Sequence, residues 1–237
     1  MQTIAIGIFC KTPIPGHSKT RLSPPLRPEE CAALSACFIR DLAATIHELT
    51  HQGDVTGYAV FTPAGTETAL RPLLPHGFRL LPQCEGEFGT RLSTATRELL
   101  LSHDGAILVN GDSPTLPASI LRAAVDATRR GGVVLGPALD GGYTLIGVSG
   151  LHARLYQDIP WSTSDVHRKT VERAAEIGLP VVNVPGWYDV DDAASLALLE
   201  SELAGEPLAF AQVTGARAPA TRAHFAQRGL LLAGSAR

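Results

Sequence analysis

The feature that most constrains the fold of this chain is the alternation of short apolar runs with segments of helical periodicity. Runs typical of buried strands cover 2–9, 55–61, 78–81, 106–109, 132–136, 143–148 and 181–184. Helical patterns lie between or after them, over 28–49, 66–74, 88–102, 117–130, 164–177 and 191–203. This alternation predicts an α/β protein of three-layer αβα type, with a Rossmann-like, mostly parallel sheet. In such a sheet, ligands bind in a crevice at the carboxyl ends of the strands.

The composition excludes several classes of protein. The 237 residues are 45% hydrophobic and 18% charged, which is typical of a globular chain. The net charge of −3 argues against nucleic acid as a partner, and no apolar stretch is long enough to span a membrane. We expect one domain over residues 1–205 and a C-terminal extension over 206–237, either a packed helix or a flexible tail. Four cysteines without a CxxC pair indicate free thiols in a reducing, cytoplasmic compartment.

A basic, proline-rich loop follows the first strand. The first 28 residues carry Lys11, Lys19, Arg21 and Arg27 and no acidic residue. Cationic side chains together with the backbone amides freed by Gly16 suit a polyphosphate. The loop resembles a P-loop only in its Lys-Thr pair, so we predict a phosphate site of another kind. A solvated basic loop is the alternative.

Acidic residues follow later strands. Asp112 stands in a Gly-Asp-Ser-Pro turn directly after the strand 106–109, where it is well placed to bind Mg²⁺ or Mn²⁺. Asp189 and Asp191 alternate in an extended segment, so both side chains can face one cation. The alternative is helix capping, by Asp112 or Ser113 in the first case and by Asp191 or Asp192 in the second.

Two glycines stand in the segment Gly136–Tyr143, between two predicted strands. Adjacent Gly141 and Gly142 permit positive φ and a close approach of the backbone to a ligand. A hairpin turn is the alternative interpretation, and both can hold together.

The segment 47–51 reads His-Glu-Leu-Thr-His, which matches a zinc-protease pattern. It falls at the end of a predicted helix with no third ligand following, so we interpret the match as coincidental.

The order of the motifs is more specific than any one of them. The chain reads K-x-P-x-P-G-x-x-K-T-R-L, then G-D-S-P, then G-P-x-x-D-G-G-Y-x-L-I-G, then W-S-T, then D-V-D. Over roughly residues 3 to 200 it resembles the DUF2064 family, often labelled glycosyltransferases, of the nucleotide-diphospho-sugar transferase superfamily. It is more distantly similar to 2-phospho-lactate guanylyltransferase and to molybdenum-cofactor nucleotidyltransferases. The resemblance implies a GT-A fold.

The resemblance also implies roles for individual residues. Asp112, Lys19 and Arg21 would be the catalytic residues, and Asp112, Asp191 and Asp189 would hold the metal. The implied nucleotide-binding residues are Phe9, Lys11, Gly16, Lys19, Arg21, Gln83, Gly86, Gly89, Arg91 and Gly111. The implied acceptor-binding residues are Asp140, Gly141, Gly142, Tyr143, Trp161, Ser162 and Thr163. Here Asp192-Ala193 follows the D-V-D motif, where relatives often have Thr-Pro, and this leaves the choice of metal-binding aspartate open.

Three functions are compatible with these residues. The family label implies metal-dependent glycosyl transfer from a nucleotide sugar to a small acceptor. The basic loop favours the alternative of nucleotidyl transfer from an NTP to a phosphorylated or carboxylated small molecule. A non-catalytic nucleotide-sugar binding module is the third interpretation, against which the apparent metal carboxylates argue. Mg²⁺ or Mn²⁺ is the expected cofactor. The sequence leaves open whether the protein forms a homodimer.

Overall fold

The computed structural model describes residues 2–51 and 53–227, and within them seven strands form one sheet. The strands are β1 (Ile4–Lys11), β2 (Val55–Thr62), β3 (Arg79–Pro82), β4 (Gly105–Asn110), β5 (Val133–Pro137), β6 (Tyr143–Val148) and β7 (Val181–Asn183). Their order across the sheet is β3-β2-β1-β4-β6-β5-β7. Only β6 runs antiparallel to its neighbours among these strands. The prediction of a mostly parallel sheet is therefore confirmed.

Helices cover both faces of the sheet. They are α1 (Pro28–Thr50), α2 (Glu67–Leu70), α3 (Phe88–Leu100), α4 (Ala118–Arg129), α5 (Val166–Glu176), α6 (Ala193–Ala204) and α7 (Pro219–Gln227). Side chains alternate between the two faces along each strand. Ile6 and Ile8 of β1 thus pack in the core shared with α1, α4, α6 and α7, whereas Ala5 packs in the core shared with α3 and α5. This confirms the three-layer αβα architecture.

The strand order places a crevice between the carboxyl ends of β1 and β4. The two strands are parallel neighbours, with Phe9 of β1 paired to Asn110 of β4. The chain leaves β1 for β2 on one side and leaves β4 for β5 and β6 on the other. Loops that diverge from two adjacent strands open a gap above them, and ligands of open α/β sheets bind in such gaps.

The predicted helix over 66–74 is wrong in extent. The segment forms the short helix α2 and then a 3-10 turn over Arg71–Leu73. Pro72 lies in that turn, and proline has no N–H to continue an α-helical ladder. The predicted loop over 11–26 also contains a 3-10 turn, at Thr20–Leu22. The other predicted elements agree with the observed ones to within a few residues.

Part of the predicted C-terminal extension packs on the main body of the protein. Helix α7 lies against α1, and Phe225 of α7 is buried in the core. The carboxylate of Asp41 in α1 accepts hydrogen bonds from the backbone N–H groups of Ala220 and Thr221. Residues 228–237 lie outside the described part, and the domain boundary at residue 205 stays a prediction. No helix within residues 2–51 and 53–227 is long and apolar enough to cross a membrane.

Candidate functional site

A cleft of about 570 Å³ opens above the carboxyl ends of β1 and β4. Gly16, Gly86, Gly89 and Gly141 do not line it. The predicted site residues that do line it are Phe9, Lys11, Lys19, Arg21, Gln83, Arg91, Gly111, Asp112, Asp140, Gly142, Tyr143, Trp161, Ser162, Thr163, Asp189 and Asp191. The structure thus brings the residues predicted for phosphate, metal and acceptor into one place.

The basic loop after β1 folds on its own polar groups. The hydroxyl of Ser18 donates to the carbonyl of Thr12 at 3.1 Å and accepts from the N–H of Ile14 at 3.2 Å. The N–H of Thr12 donates to the carbonyl of Thr62 at the end of β2, at 2.8 Å. Lys19 then has a φ of 53°, in the left-handed region that non-glycine residues seldom adopt. The loop therefore turns back, with Lys19 in the wall of the cleft.

The ammonium of Lys19 lies between the two groups of predicted metal ligands. Its Nζ is 2.8 Å from Oδ1 of Asp112 and 3.0 Å from Oδ1 of Asp191, and it donates to the carbonyl of Val190 at 2.5 Å. The Lys19 side chain is only 5% exposed. Burial alone would lower the pKa of Lys19, but the charges of Asp112 and Asp191 outweigh it and raise the pKa above its ordinary value.

A partly buried polar network joins the two loops that carry the aspartates. Asn110 ends β4, and its amide donates to Oδ2 of Asp189 at 3.2 Å. The hydroxyl of Ser113 lies 2.9 Å from Oδ1 of Asn110 and 2.8 Å from the carbonyl of Tyr188, and it is shared between these acceptors. Asn110 and this role of Ser113 were not predicted from the sequence. The available signal was the position of Asn110 at the end of the strand, directly before the Gly-Asp-Ser-Pro turn.

The structure resolves the alternative of helix capping. Pro117 is the N-cap residue of α4, so neither Asp112 nor Ser113 caps that helix. Asp192 is the N-cap residue of α6, where its carboxylate accepts from the N–H of Ser195 at 2.8 Å. Asp192 is therefore used as a cap, whereas Asp189 and Asp191 line the cleft.

Asp189 lies in a strongly negative environment. Burial raises its pKa first, and the nearby charges of Asp191, Asp140 and Asp112 raise it further, to about 7. A carboxylate in such surroundings is stabilised by an additional cation. The four carboxylates supply hard oxygen donors of the kind that Mg²⁺ and Mn²⁺ prefer, so the residues fit the predicted ion.

The same carboxylates are not arranged as a preformed metal cage. No three His, Cys, Asp or Glu side chains within residues 2–51 and 53–227 come together as a ligand set. The ammonium of Lys19 lies between Asp112 and Asp191 and offsets one of their two negative charges. Any divalent ion at these two aspartates must share them with that ammonium or replace it.

Gln83 connects the strands and the arginine that border the site. Both hydrogens of its buried amide are used, on the carbonyl of Cys10 in β1 at 3.1 Å and on the carbonyl of Val60 in β2 at 2.7 Å. Its Oε1 accepts a hydrogen bond from the guanidinium of Arg91. The side chain of Gln83 thus ties β1 to β2 and holds Arg91, and its amide has no hydrogen left for a ligand.

Aromatic side chains form one wall of the cleft. Phe88 contacts Phe9 and Trp161 edge to face, with ring centroids 5.5 and 5.0 Å apart. The guanidinium of Arg91 lies over the ring of Phe9, 5.5 Å from its centroid. Phe88 is 42% exposed. This wall offers a flat apolar surface to a ligand, beside a cation. Phe88 was not predicted from the sequence.

The Gly141–Gly142 turn is both a hairpin turn and a border of the cleft. The turn joins β5 to the antiparallel strand β6, and the carboxylate of Asp140 accepts from the N–H of Gly142 at 2.8 Å. Gly141 has a φ of +88°, and a Cβ atom there would lie 2.2 Å from the carbonyl oxygen of Ser164. Only glycine fits this close approach, which fixes Asp140 at the edge of the cleft.

The zinc-protease pattern lies away from the cleft, at the end of α1. The rings of His47 and His51 pack edge to face with centroids 5.3 Å apart. The Nδ1 atom of His47 is within 3.3 Å of the hydroxyl of Thr50. Neither histidine belongs to a group of three metal-binding side chains within the described residues.

Several solved structures resemble this chain over most of its length. A proposed nucleotide-diphospho-sugar transferase from Desulfovibrio desulfuricans G20 is 25% identical, with a TM-score of 0.81 over 98% of this chain and 97% of the other. CMP:2-keto-3-deoxy-manno-octonic acid synthetase in complex with CTP is 15% identical, with a TM-score of 0.53 over 85% of this chain and 100% of the other. 4-Diphosphocytidyl-2C-methyl-D-erythritol synthase is 9% identical, with a TM-score of 0.55 over 84% and 97%. The fold is therefore that of the nucleotide-diphospho-sugar transferases.

The family model places the chain more narrowly. Residues 45–163 match the family described as uncharacterised proteins conserved in bacteria, DUF2064. The chain belongs to this family, as its motifs predicted. No curated protein matches the sequence.

Proposed function

We propose that this protein is a metal-dependent transferase that uses a nucleotide-activated donor, and that it transfers a glycosyl group from a nucleotide sugar to a small acceptor. The observation that carries the proposal is that the basic loop after β1 contacts the aspartates of the cleft. Lys19 of this loop pairs with Asp112, which follows β4, and with Asp191. Cationic groups and carboxylates at the switch point of an α/β sheet suit a nucleotide diphosphate and its divalent ion. The Desulfovibrio desulfuricans neighbour, proposed to be such a transferase, supports this choice of donor.

Different residues of the cleft would contact different parts of the donor and the acceptor. Lys11 and Arg21, both exposed in the cleft, would contact the phosphates of the donor. Arg91 and the Phe88 ring would border the nucleoside or the sugar. Asp140 would lie beside the acceptor and accept a proton from its hydroxyl. Holding donor and acceptor together in this way would make a bimolecular reaction effectively unimolecular.

The divalent ion would be held by Asp112 and Asp191, with Asp189 beside them. When bound there, Mg²⁺ or Mn²⁺ would neutralise the charge that builds on the leaving diphosphate. The chain itself supplies the network that positions these ligands. Asn110 holds Asp189 by a hydrogen bond, and the N–H of Val190 donates to the carbonyl of Asp112 at 2.9 Å.

Nucleotidyl transfer from an NTP is the second candidate. The observation in its favour is the number of cationic side chains that line the cleft, namely Lys11, Lys19, Arg21 and Arg91. A triphosphate requires more neutralising charge than a sugar diphosphate does. The acceptor would then be a small molecule with an ionised phosphate or carboxylate.

A thermal-shift panel in the presence of Mg²⁺ tests both candidates. The ligands are UDP-glucose, GDP-mannose, UDP, GDP and the four NTPs, and any ligand that binds the native state raises the melting temperature. Asp112→Asn and Lys19→Ala are the site variants. Lys169→Ala is the matched control, because Lys169 lies on α5 and pairs with Glu172, outside the cleft.

Glycosyl transfer predicts stabilisation by one nucleotide sugar and its NDP, lost in Asp112→Asn and kept in Lys169→Ala. Stabilisation by an NTP alone, followed by release of pyrophosphate with an acceptor, would favour nucleotidyl transfer instead. Unchanged ligand affinity in Asp112→Asn would support a non-catalytic binding module. No stabilisation by any of these nucleotides would contradict the proposal.

A further inference from the structure

The ammonium of Lys19 is engaged by the protein itself: it donates hydrogen bonds to Val190 and Asp191 and forms an ion pair with Asp112. An ammonium has three N–H groups. Three acceptors surround this one: Oδ1 of Asp112 at 2.8 Å, Oδ1 of Asp191 at 3.0 Å and the carbonyl of Val190 at 2.5 Å. In this arrangement Lys19 binds the protein and not a phosphate, in contrast to the role that the sequence resemblance implies for it.

The position of Lys19 is built into the fold. Its backbone is held in the left-handed region, its side chain is 5% exposed, and its Nζ lies 5.7 Å from the centre of the Phe38 ring. The two carboxylates are far less buried, at 39% exposed for Asp112 and 45% for Asp191. The aspartates thus face the cleft while the cation between them is covered.

The charge of Lys19 opposes a divalent ion at the same aspartates. Like charges a few ångströms apart repel strongly wherever water is partly excluded. A divalent ion that arrives alone therefore meets two carboxylates whose negative charge is already offset by half and an ammonium that repels it. A polyphosphate changes this balance, because its oxygens offer the ammonium new acceptors and its negative charge offsets the added cation.

We propose that Lys19 is an internal cation that makes binding of the divalent ion conditional on binding of a polyphosphate. Without polyphosphate, Lys19 is paired with Asp112 and Asp191 and offsets half of their negative charge. With polyphosphate, the ammonium turns to the phosphate oxygens and the two aspartates become available to the metal. Because coupling between two binding sites is reciprocal, the metal strengthens polyphosphate binding by the same factor. This inference rests on the proposed function and adds the order in which its site is filled.

Mn²⁺ binding to the apoprotein tests the proposal directly. Free Mn²⁺ is measured by electron paramagnetic resonance in titrations of the wild type, Lys19→Met and Lys169→Met. We expect Lys19→Met to bind Mn²⁺ about tenfold more tightly than the wild type, and Lys169→Met to match the wild type. The chain has three lysines, and the Lys169 variant removes the same charge outside the cleft. Equal Mn²⁺ affinity in the wild type and in Lys19→Met would overturn the proposal.

A second measurement needs no variant and so does not depend on the folding of Lys19→Met. Melting temperatures of the wild type are recorded with Mn²⁺ alone, with inorganic tripolyphosphate alone and with both. The proposal predicts a shift with both that clearly exceeds the sum of the separate shifts. A full shift with Mn²⁺ alone would overturn it. Nucleotide stabilisation combined with such a result would leave the proposed function intact, whereas no response to any nucleotide would contradict the proposed function itself.

Discussion

Replacing Asp41 by alanine tests whether α7 is an integral part of the fold. Asp41 is 2% exposed, and its carboxylate accepts three hydrogen bonds from the start of α7. These come from the N–H of Ala220 at 2.9 Å, the N–H of Thr221 at 2.8 Å and the hydroxyl of Thr221 at 2.6 Å. The carboxylate therefore caps the first turn of a helix from a distant part of the chain.

The expected cost follows from these contacts. A hydrogen bond to a charged group contributes about 1.5 to 3 kcal/mol, and a buried donor left without an acceptor costs about 1 to 3 kcal/mol. Removal of the carboxylate also removes the cost of burying it, since burial is the main cause that raises the pKa of Asp41. We expect Asp41→Ala to lower the free energy of unfolding by about 3 kcal/mol. Asp41→Asn keeps one acceptor oxygen and should lose about half as much.

Urea unfolding followed by circular dichroism measures these differences by linear extrapolation. The control is Asp126→Ala, because Asp126 is half exposed and lies 3.4 Å from Arg129, a contact expected to contribute about 0.5 kcal/mol or less. A loss for Asp41→Ala no larger than that of the control would refute the reasoning. It would mean that α7 separates from α1 in solution without a measurable loss of stability.

Three further predictions concern the pH dependence, the glycine turn and a buried thiol. Burial raises the pKa of Asp41 in the native state, so the contribution of Asp41 to stability is full below its ordinary pKa and falls as pH rises through the raised pKa. The free energy of unfolding of the wild type relative to that of Asp41→Asn should therefore fall over that pH range in urea titrations. A difference that stays constant with pH would contradict this. Gly141→Ala should lower the free energy of unfolding by about 3 kcal/mol, because the new Cβ atom would collide with the carbonyl oxygen of Ser164. Gly178 also has a positive φ but lies in open space, so Gly178→Ala should lower it by only about 1 kcal/mol in the same assay. Equal losses would contradict the close approach at Gly141. Burial, together with the charge of Asp112, raises the pKa of the Cys10 thiol to about 12. Iodoacetamide at pH 8 should therefore modify Cys10 only in the unfolded protein, as measured by mass spectrometry. Rapid labelling of Cys10 in the native protein would refute this prediction.

The sequence predicted most of the fold because its main signals are local. Short apolar runs located all seven strands to within a few residues, and the 3.6-residue periodicity located most of the helices. The helix over 66–74 was the main error, because Pro72 ends α-helical hydrogen bonding there in favour of a 3-10 turn. The adjacent glycines also predicted correctly the turn between β5 and β6. The antiparallel position of β6 between β4 and β5 was not predicted, since strand order depends on the paths of the connections.

The candidate site divides in the same way. The sequence predicted Asp112 and the basic loop as site residues from their place after strands, and Asp189 and Asp191 from their alternation in an extended segment; the structure places them in one cleft. Sequence alone left open which aspartate caps a helix, and the backbone geometry at the start of α6 selects Asp192.

The contacts between these segments were decided by the tertiary structure. It placed the Lys19 ammonium between Asp112 and Asp191, engaged both hydrogens of the Gln83 amide on β1 and β2, and docked α7 on Asp41. These contacts join residues far apart in the chain, and their distances depend on strand order, crossover and twist together. A sequence therefore states which charges a site contains, whereas the packed sheet decides which of them neutralise one another.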